Sequence, residues 1–336
     1  MQMQLRQLEY FTAVADTRHF TRAAQSAHVA QPSLSKQIRT LERELGTQLF
    51  RRARGNVTLT PAGETLLPLA RRILADVDDA RVQVQELVGL ARGRLRLGAT
   101  PSLSTVLLPD ALQRFCATYP GIDIFVEERG GRDLVRLLAQ GELDLALIIL
   151  PLQSRDPALA TTAFLREPLI VAAPVDGSLL RAKSLRVRDL ARHPLVMFRE
   201  GYDLREVTLA ACRRERIEPR IAVEGGELDA VLGFVEAGLG IAVVPSMVVE
   251  GRPRLRRIPF VAPGMSRTIA LAHRRDVDPS ATARAFRSVL LEHLADAAQS
   301  GALPRGVELV GRSGIRSRVT TGSSGPRRKE DAASEA

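Results

Sequence analysis

Residues 20–39 read FTRAAQSAHVAQPSLSKQIR. The stretch is expected to form two short helices joined by a tight turn. Thr21 has the hydroxyl of a helix cap, and Ala23, Ala24 and Ala27 keep the first helix slim enough for a close crossing. His28-Val29-Ala30 make the turn, with Val29 beneath it. Pro32 suits the first turn of the second helix, where its missing N–H costs nothing. Leu34, Ile38, Leu41 and Leu45 recur at helical spacing as one apolar stripe. The opposite face carries Gln31, Ser35 and Arg39, with Ser33, Lys36 and Arg43 beside them. Amides and hydroxyls bond base edges and cations hold phosphates, so this face has the chemistry of a helix lying in a DNA groove. A solvated helix pair with a polar outer side is the competing reading.

The flanks favour the groove reader. Upstream, Leu5, Leu8, Phe11 and Ala15 mark a helix. Downstream, Leu49–Arg52 and Val57–Leu59 are expected to be short strands around the turn Arg54-Gly55-Asn56. An arginine-rich hairpin beside such a helix, carrying Arg51, Arg52 and Arg54, is placed to hold the neighbouring backbone. Thr60-Pro61 then opens a further helix. Leu66, Ala70, Ile73, Val77, Ala80, Val84 and Leu87 follow in steps of four and three. A 3.5-residue repeat of this kind favours a seam with a partner chain, hence an oligomer.

Charge agrees with this division. Of a net +10 over 336 residues, residues 1–60 hold nine Arg and Lys against four acids, and residues 299–336 hold seven against four. Basic charge gathered at one end suits a polyanion. The near absence of lysine (positions 36, 183 and 329) is read as genome composition. Cys116 and Cys212 are expected to be core residues, with no disulfide framework. The five histidines lack metal-ligand spacing, and no nucleotide or nucleophile motif appears. Neither metal nor cofactor is expected, and the chain is not expected to be an enzyme. MQMQLRQLEYF lacks the pattern of a secretory signal and no apolar run is long enough to span a bilayer, so a cytoplasmic location is expected.

From Gly93 strands and helices alternate, which implies an α/β unit with largely parallel sheets and two subdomains around a cleft. Ligands in such folds sit beyond strand C-termini, against helix starts. Thr100 and Ser102, Gly131, Phe198 and Glu224 stand at such places and are the candidate effector residues. The tail after Gln299 is rich in Gly, Ser and Arg and is expected to be disordered. A small-molecule-binding α/β protein or enzyme with an accessory DNA-binding arm is the alternative reading.

Over about residues 3–297 the chain resembles the LysR-type transcriptional regulators. The residues that carry the resemblance are LRQLEYF, FTRAAQSAHVAQPSLSKQIRTLERELGTQLFRR and VTLTPAGE, then GELDLALI and VEAGLGIAVVP. It implies a winged helix-turn-helix (3–60), a linker and dimerisation helix (61–92), and a periplasmic-binding-protein-like effector domain (93–298). The two subdomains of the last would be about 93–164 plus 266–298, and 165–265. It also implies a homotetramer acting on promoter DNA, responding to a small-molecule effector and contacting RNA polymerase. By motif, Gln31, Ser33 and Lys36 would contact DNA with Pro32 shaping the helix start. Thr21, Ser35 and Arg39 would hold phosphates, and the wing arginines the flanking duplex. Two positions depart from the family pattern. Ala30 stands where a capping Ser is common, and Gly131 where many members have Ser, Thr or Asn.

Overall fold

The computed structural model describes residues 3–53, 56–86, 93–151, 157–176 and 182–310. Wing residue Arg54, seam residue Leu87 and the tail from 311 lie outside them. Helices α1 (Leu5–Thr17), α2 (Phe20–Ser26) and α3 (Gln31–Leu45) are followed by strands β1 (Phe50–Ala53) and β2 (Asn56–Leu59), which pair antiparallel. Helix α4 (Pro61–Glu86) follows. Leu8, Phe11, Val14, Leu34, Ile38 and Leu41 bury completely between the first three helices. Phe50 closes that core, its ring 5.3 Å from Phe11 and edge-on to Phe20 at 5.8 Å. Thr60 Oγ1 accepts from the Gly63 N–H at 3.1 Å and so caps α4. Gly63 is required there, since a Cβ would stand 2.3 Å from the Leu49 carbonyl oxygen.

Three local expectations change. Thr21 lies inside α2; the cap is His19, whose Nδ1 accepts from the Thr21 N–H at 3.2 Å. The stripe of α3 ends at Leu41, and Leu45 is exposed because the chain turns away through Gly46 in the left-handed region (φ 69°). Ser35 is only 5% exposed, so the outer face of α3 runs through Pro32, Ser33, Lys36, Arg39 and Arg43 instead. Ala30 caps α3 with no side-chain bond.

The larger unit contains β3 (Gly93–Ala99), α5 (Pro101–Val106), α6 (Leu108–Thr118), β4 (Ile122–Glu128), α7 (Gly131–Ala139) and β5 (Leu145–Leu150). Then come β6 (Leu159–Pro174), β7 (Leu195–Met197), α8 (Asp203–Arg214), β8 (Ile221–Glu224), α9 (Leu228–Glu236) and β9 (Ala242–Pro245). β10 (Leu255–Pro259), β11 (Met265–Arg274), α10 (Ala281–Gln299) and β12 (Glu308–Leu309) complete it. The main sheet runs β10-β6-β11-β5-β3-β4, with β9 and β12 also on β6. It is not largely parallel as expected. β3 pairs parallel with β4 and β5, but β6 pairs antiparallel with β9, β10, β11 and β12.

The long strands β6 and β11 explain the difference, because they pass between two cores. Phe164, Leu165, Ile269 and Leu271 bury with Leu95, Phe115 and Phe286. Leu169–Ala173 and Met265 bury with Phe198, Val231 and Val244. A strand that crosses from one core to the other returns as its antiparallel neighbour. Cys116, expected in a core, is exposed: α6 buries Leu108, Ala111 and Phe115, and the next position turns off that face. Cys212 is buried on α8.

Candidate functional site

Two surfaces hold the residues singled out by the sequence. On α3 the buried stripe fixes the helix by one face, leaving Pro32, Ser33, Lys36 and Arg39 in solvent. The half-buried Gln31 donates through Nε2 to Ser35 Oγ at 2.9 Å, so the buried hydroxyl holds the amide in place. Thr21 and Arg22 are exposed on α2, and Arg51 on β1. The surface is thus a convex helix carrying hydroxyl, amide and cationic groups beside further arginines. A convex polar-basic helix fits the width of a DNA major groove.

The second surface is a cleft where the two cores of the larger unit meet, around a small cavity of about 20 Å³. Thr100, Ser102, Gly130, Tyr202, Asp203 and Arg267 contribute its polar lining; Ile149, Leu169, Leu204 and Val207 add apolar walls. At its floor β6 and β11 place Glu167 directly across from Arg267. Both are buried. Arg267 Nε donates to Glu167 Oε2 at 2.9 Å, and Nη1 donates to Ser102 Oγ at 2.7 Å. Glu167 Oε1 also accepts the Met247 N–H at 2.8 Å. The pair is therefore bonded on both sides, as a buried ion pair has to be.

Across the cleft, Asp203 opens α8 and its carboxylate accepts from the backbone of Gly131, where α7 begins. Burial pushes the Asp203 carboxyl above its ordinary range, against the pull of Arg267 and of that hydrogen bond. Burial likewise raises the Tyr202 phenol, which stays protonated at neutral pH. The Tyr202 ring stacks on Phe198 at 4.7 Å, nearly parallel to it, and Arg199 lies 5.9 Å from the Tyr202 centroid.

Of the five candidate effector residues, Thr100 and Ser102 line the cavity. Gly131 stands at its edge against Asp203. Phe198 lies behind Tyr202, and Glu224 is paired with Arg205 at 2.8 Å. Sequence reading missed Tyr202, Asp203, Arg267 and Glu167. Tyr202 and Asp203 had a signal in Gly201 before a helix start. Arg267 and Glu167 face each other only through strand register, which a single sequence does not display.

Residues 5–64 match the bacterial regulatory helix-turn-helix proteins of the lysR family, and residues 89–295 match the LysR substrate binding domain. The chain belongs to the LysR family. It is a DNA-binding transcriptional regulator with a domain for a small-molecule effector. Among its relatives, the transcriptional dual regulator GltC of Bacillus subtilis is 30% identical over 83% of this chain and 94% of its own length. The DNA-binding transcriptional dual regulator OxyR of Escherichia coli is 32% identical over 81% of this chain and 90% of its own. A solved full-length OxyR variant from Pseudomonas aeruginosa superposes with a TM-score of 0.68 at 28% identity, covering 86% of this chain and 98% of that one. Among the described residues of this LysR-family chain, no helix is long and apolar enough to cross a membrane.

Proposed function

We propose that this regulator inserts α3 into the major groove of its operator. Gln31, Ser33 and Lys36 would read base edges there, with Pro32 setting the helix start. Arg39 and Thr21 hold flanking phosphates, and Arg51, Arg52 and Arg54 grip the duplex beside the hairpin. Ser35 acts through Gln31, whose amide it orients. The observation that carries the reading is the exposed row Ser33, Lys36 and Arg39 on a helix whose opposite face is fully buried.

The effector sits in the cleft against Thr100 and Ser102, with Gly131, Phe198 and Glu224 shaping its surround. The regulator assembles as a homodimer and then a homotetramer, with the α4 seam as the first contact. It acts in the cytoplasm on promoter DNA and RNA polymerase, and catalyses no reaction of its own. The effector shifts the population between two quaternary arrangements, to the extent that it binds one more tightly.

Gel-shift titration on the DNA upstream of the protein's own gene, with sizing by light scattering, tests this. A tetramer with strongly salt-dependent, sequence-specific binding is expected. A monomer, or equal affinity for unrelated DNA, refutes it.

A further inference from the structure

The cleft already contains an anion of the protein's own. Asp203 places its carboxylate on the Gly131 N–H at the start of α7, a helix of nine residues. A Cβ on Gly131 would stand 3.0 Å from Asp203 Oδ2 and 3.4 Å from Oδ1, so the carboxylate lies flat against that helix start. Helix starts attract anions through their free N–H groups and the positive end of the dipole. Here that place is taken.

The remaining charge in the cleft is matched. Arg267 is held by Glu167 at 2.8 and 2.9 Å, so the pair brings no net positive charge. The groups that act on Asp203 are Arg267 from β11, Arg132 from α7 and Glu206 from α8 itself. Arg267 Nη2 lies in the same lining, 2.8 Å from Glu167 Oε2 but without hydrogen-bond geometry to it. The other unsatisfied groups that the cavity offers are neutral. The hydroxyls of Thr100 and Tyr202, residues 5% and 4% exposed, are buried and have no hydrogen-bond partner among the described residues. Buried polar groups are nearly always satisfied, and two unsatisfied hydroxyls in one cavity mark places for a ligand's own polar atoms. The walls around them are aliphatic.

Resting on the reading of this cleft as the effector site, we propose that its effector is a small uncharged molecule bearing hydroxyl or amide groups, and that Asp203 excludes carboxylates by occupying the anion position at α7. The ligand donates to the Asp203 carboxylate, and exchanges hydrogen bonds with Thr100 and Tyr202. A ligand carboxylate would meet Asp203 as a like charge in a poorly solvated space.

The test is calorimetric titration of the full-length protein at pH 7 with pairs of nearly equal size in which an anionic, acceptor-only carboxylate is replaced by a neutral amide: acetate and acetamide, lactate and lactamide, benzoate and benzamide. The expected result is that the amide of a pair binds at least roughly tenfold more tightly than its acid. In Asp203→Ser, which vacates the helix start, the acids should gain at least roughly tenfold over the unmodified protein. Asp203→Asn keeps the side-chain size and removes the like charge, and should give a smaller gain of the same sign if the serine variant does not fold. Acids that bind the unmodified protein as well as their amides, or that gain nothing in both variants, overturn the proposal. Val207→Trp fills the cavity and separates the two readings. Probe binding that survives it shows that the cleft is not the effector site, whereas binding that it abolishes but that favours acids refutes the exclusion by Asp203 alone.

Discussion

Ser33 touches nothing in the core of the first domain, so its hydroxyl is free for another molecule. Ser33→Ala should leave folding unchanged and weaken binding to the operator by about 1 kcal/mol or more, with little effect on unrelated DNA. Competition gel shifts measure the difference, and equal losses on both DNAs would make Ser33 a positioning residue only. Glu167 is the opposite case, fully buried and bonded to Arg267 and the Met247 N–H. Glu167→Gln leaves a guanidinium without its counter-charge and should cost about 3–5 kcal/mol in urea unfolding. A loss below 1 kcal/mol would mean that water reaches Arg267. The two residues also differ in how far the sequence announced them. Helical spacing put Ser33 beside the outer row of α3, and the family resemblance singled it out for DNA contact. Glu167 was not legible, since its partner lies 100 positions away and meets it only because β6 and β11 run antiparallel.

At the scale of elements, α4 divides into two halves. Ala70 is buried, and Leu66 and Ile73 pack against the core of α1–α3. Val77 is half-buried, Ala80 is exposed and Val84 is 66% exposed. The repeat was read as one continuous seam, yet a single chain already consumes its first half. The second half remains for a partner, so Val77→Asp should break the dimer while sparing the fold of the first domain. Light scattering with a parallel circular-dichroism melt checks this, and an intact tetramer would remove α4 as the first contact. Regular elements such as β5, whose residues 145–150 form one apolar run, were legible to the residue because a buried strand needs no other pattern. Strands β10 and β12 were not, because their few residues alternate weakly and each pairs with β6 alone, β10 near its end and β12 at its middle.

For the whole molecule, the two domains are joined by charge. Asp76 of α4 accepts from Arg274 at 2.6 Å, Asp79 meets Arg96 at 3.0 Å, and Arg71 meets Glu142 at 3.1 Å. Arg72 pairs with Asp276, and Asp78 with Arg94. The Asp276 carboxyl is held below its ordinary value of 3.8, first by the hydrogen bond from Arg274. A depressed carboxyl contributes stability above the unfolded value, and this is lost as pH falls through the folded one. Asp79 has the opposite sign: burial raises it, and the cost it imposes above 3.8 is relieved in acid. Asp276→Asn should therefore destabilise the protein at neutral pH, by an amount that shrinks below pH 3.8 and vanishes once the pH is under the folded value. Urea unfolding of both proteins across that range tests it, and a difference that persists in acid would assign the loss to packing.

Strand β11 holds both ends of this arrangement. Arg267 lies on the cleft floor and Arg274 grips the linker helix, seven positions further along. That separation is about 24 Å of extended chain. Between them β11 is hydrogen-bonded to β6 on one side and to β5 on the other. A strand clamped on both edges resists sliding and bending, so the cleft floor and the grip on α4 keep a fixed spacing along one rigid strand.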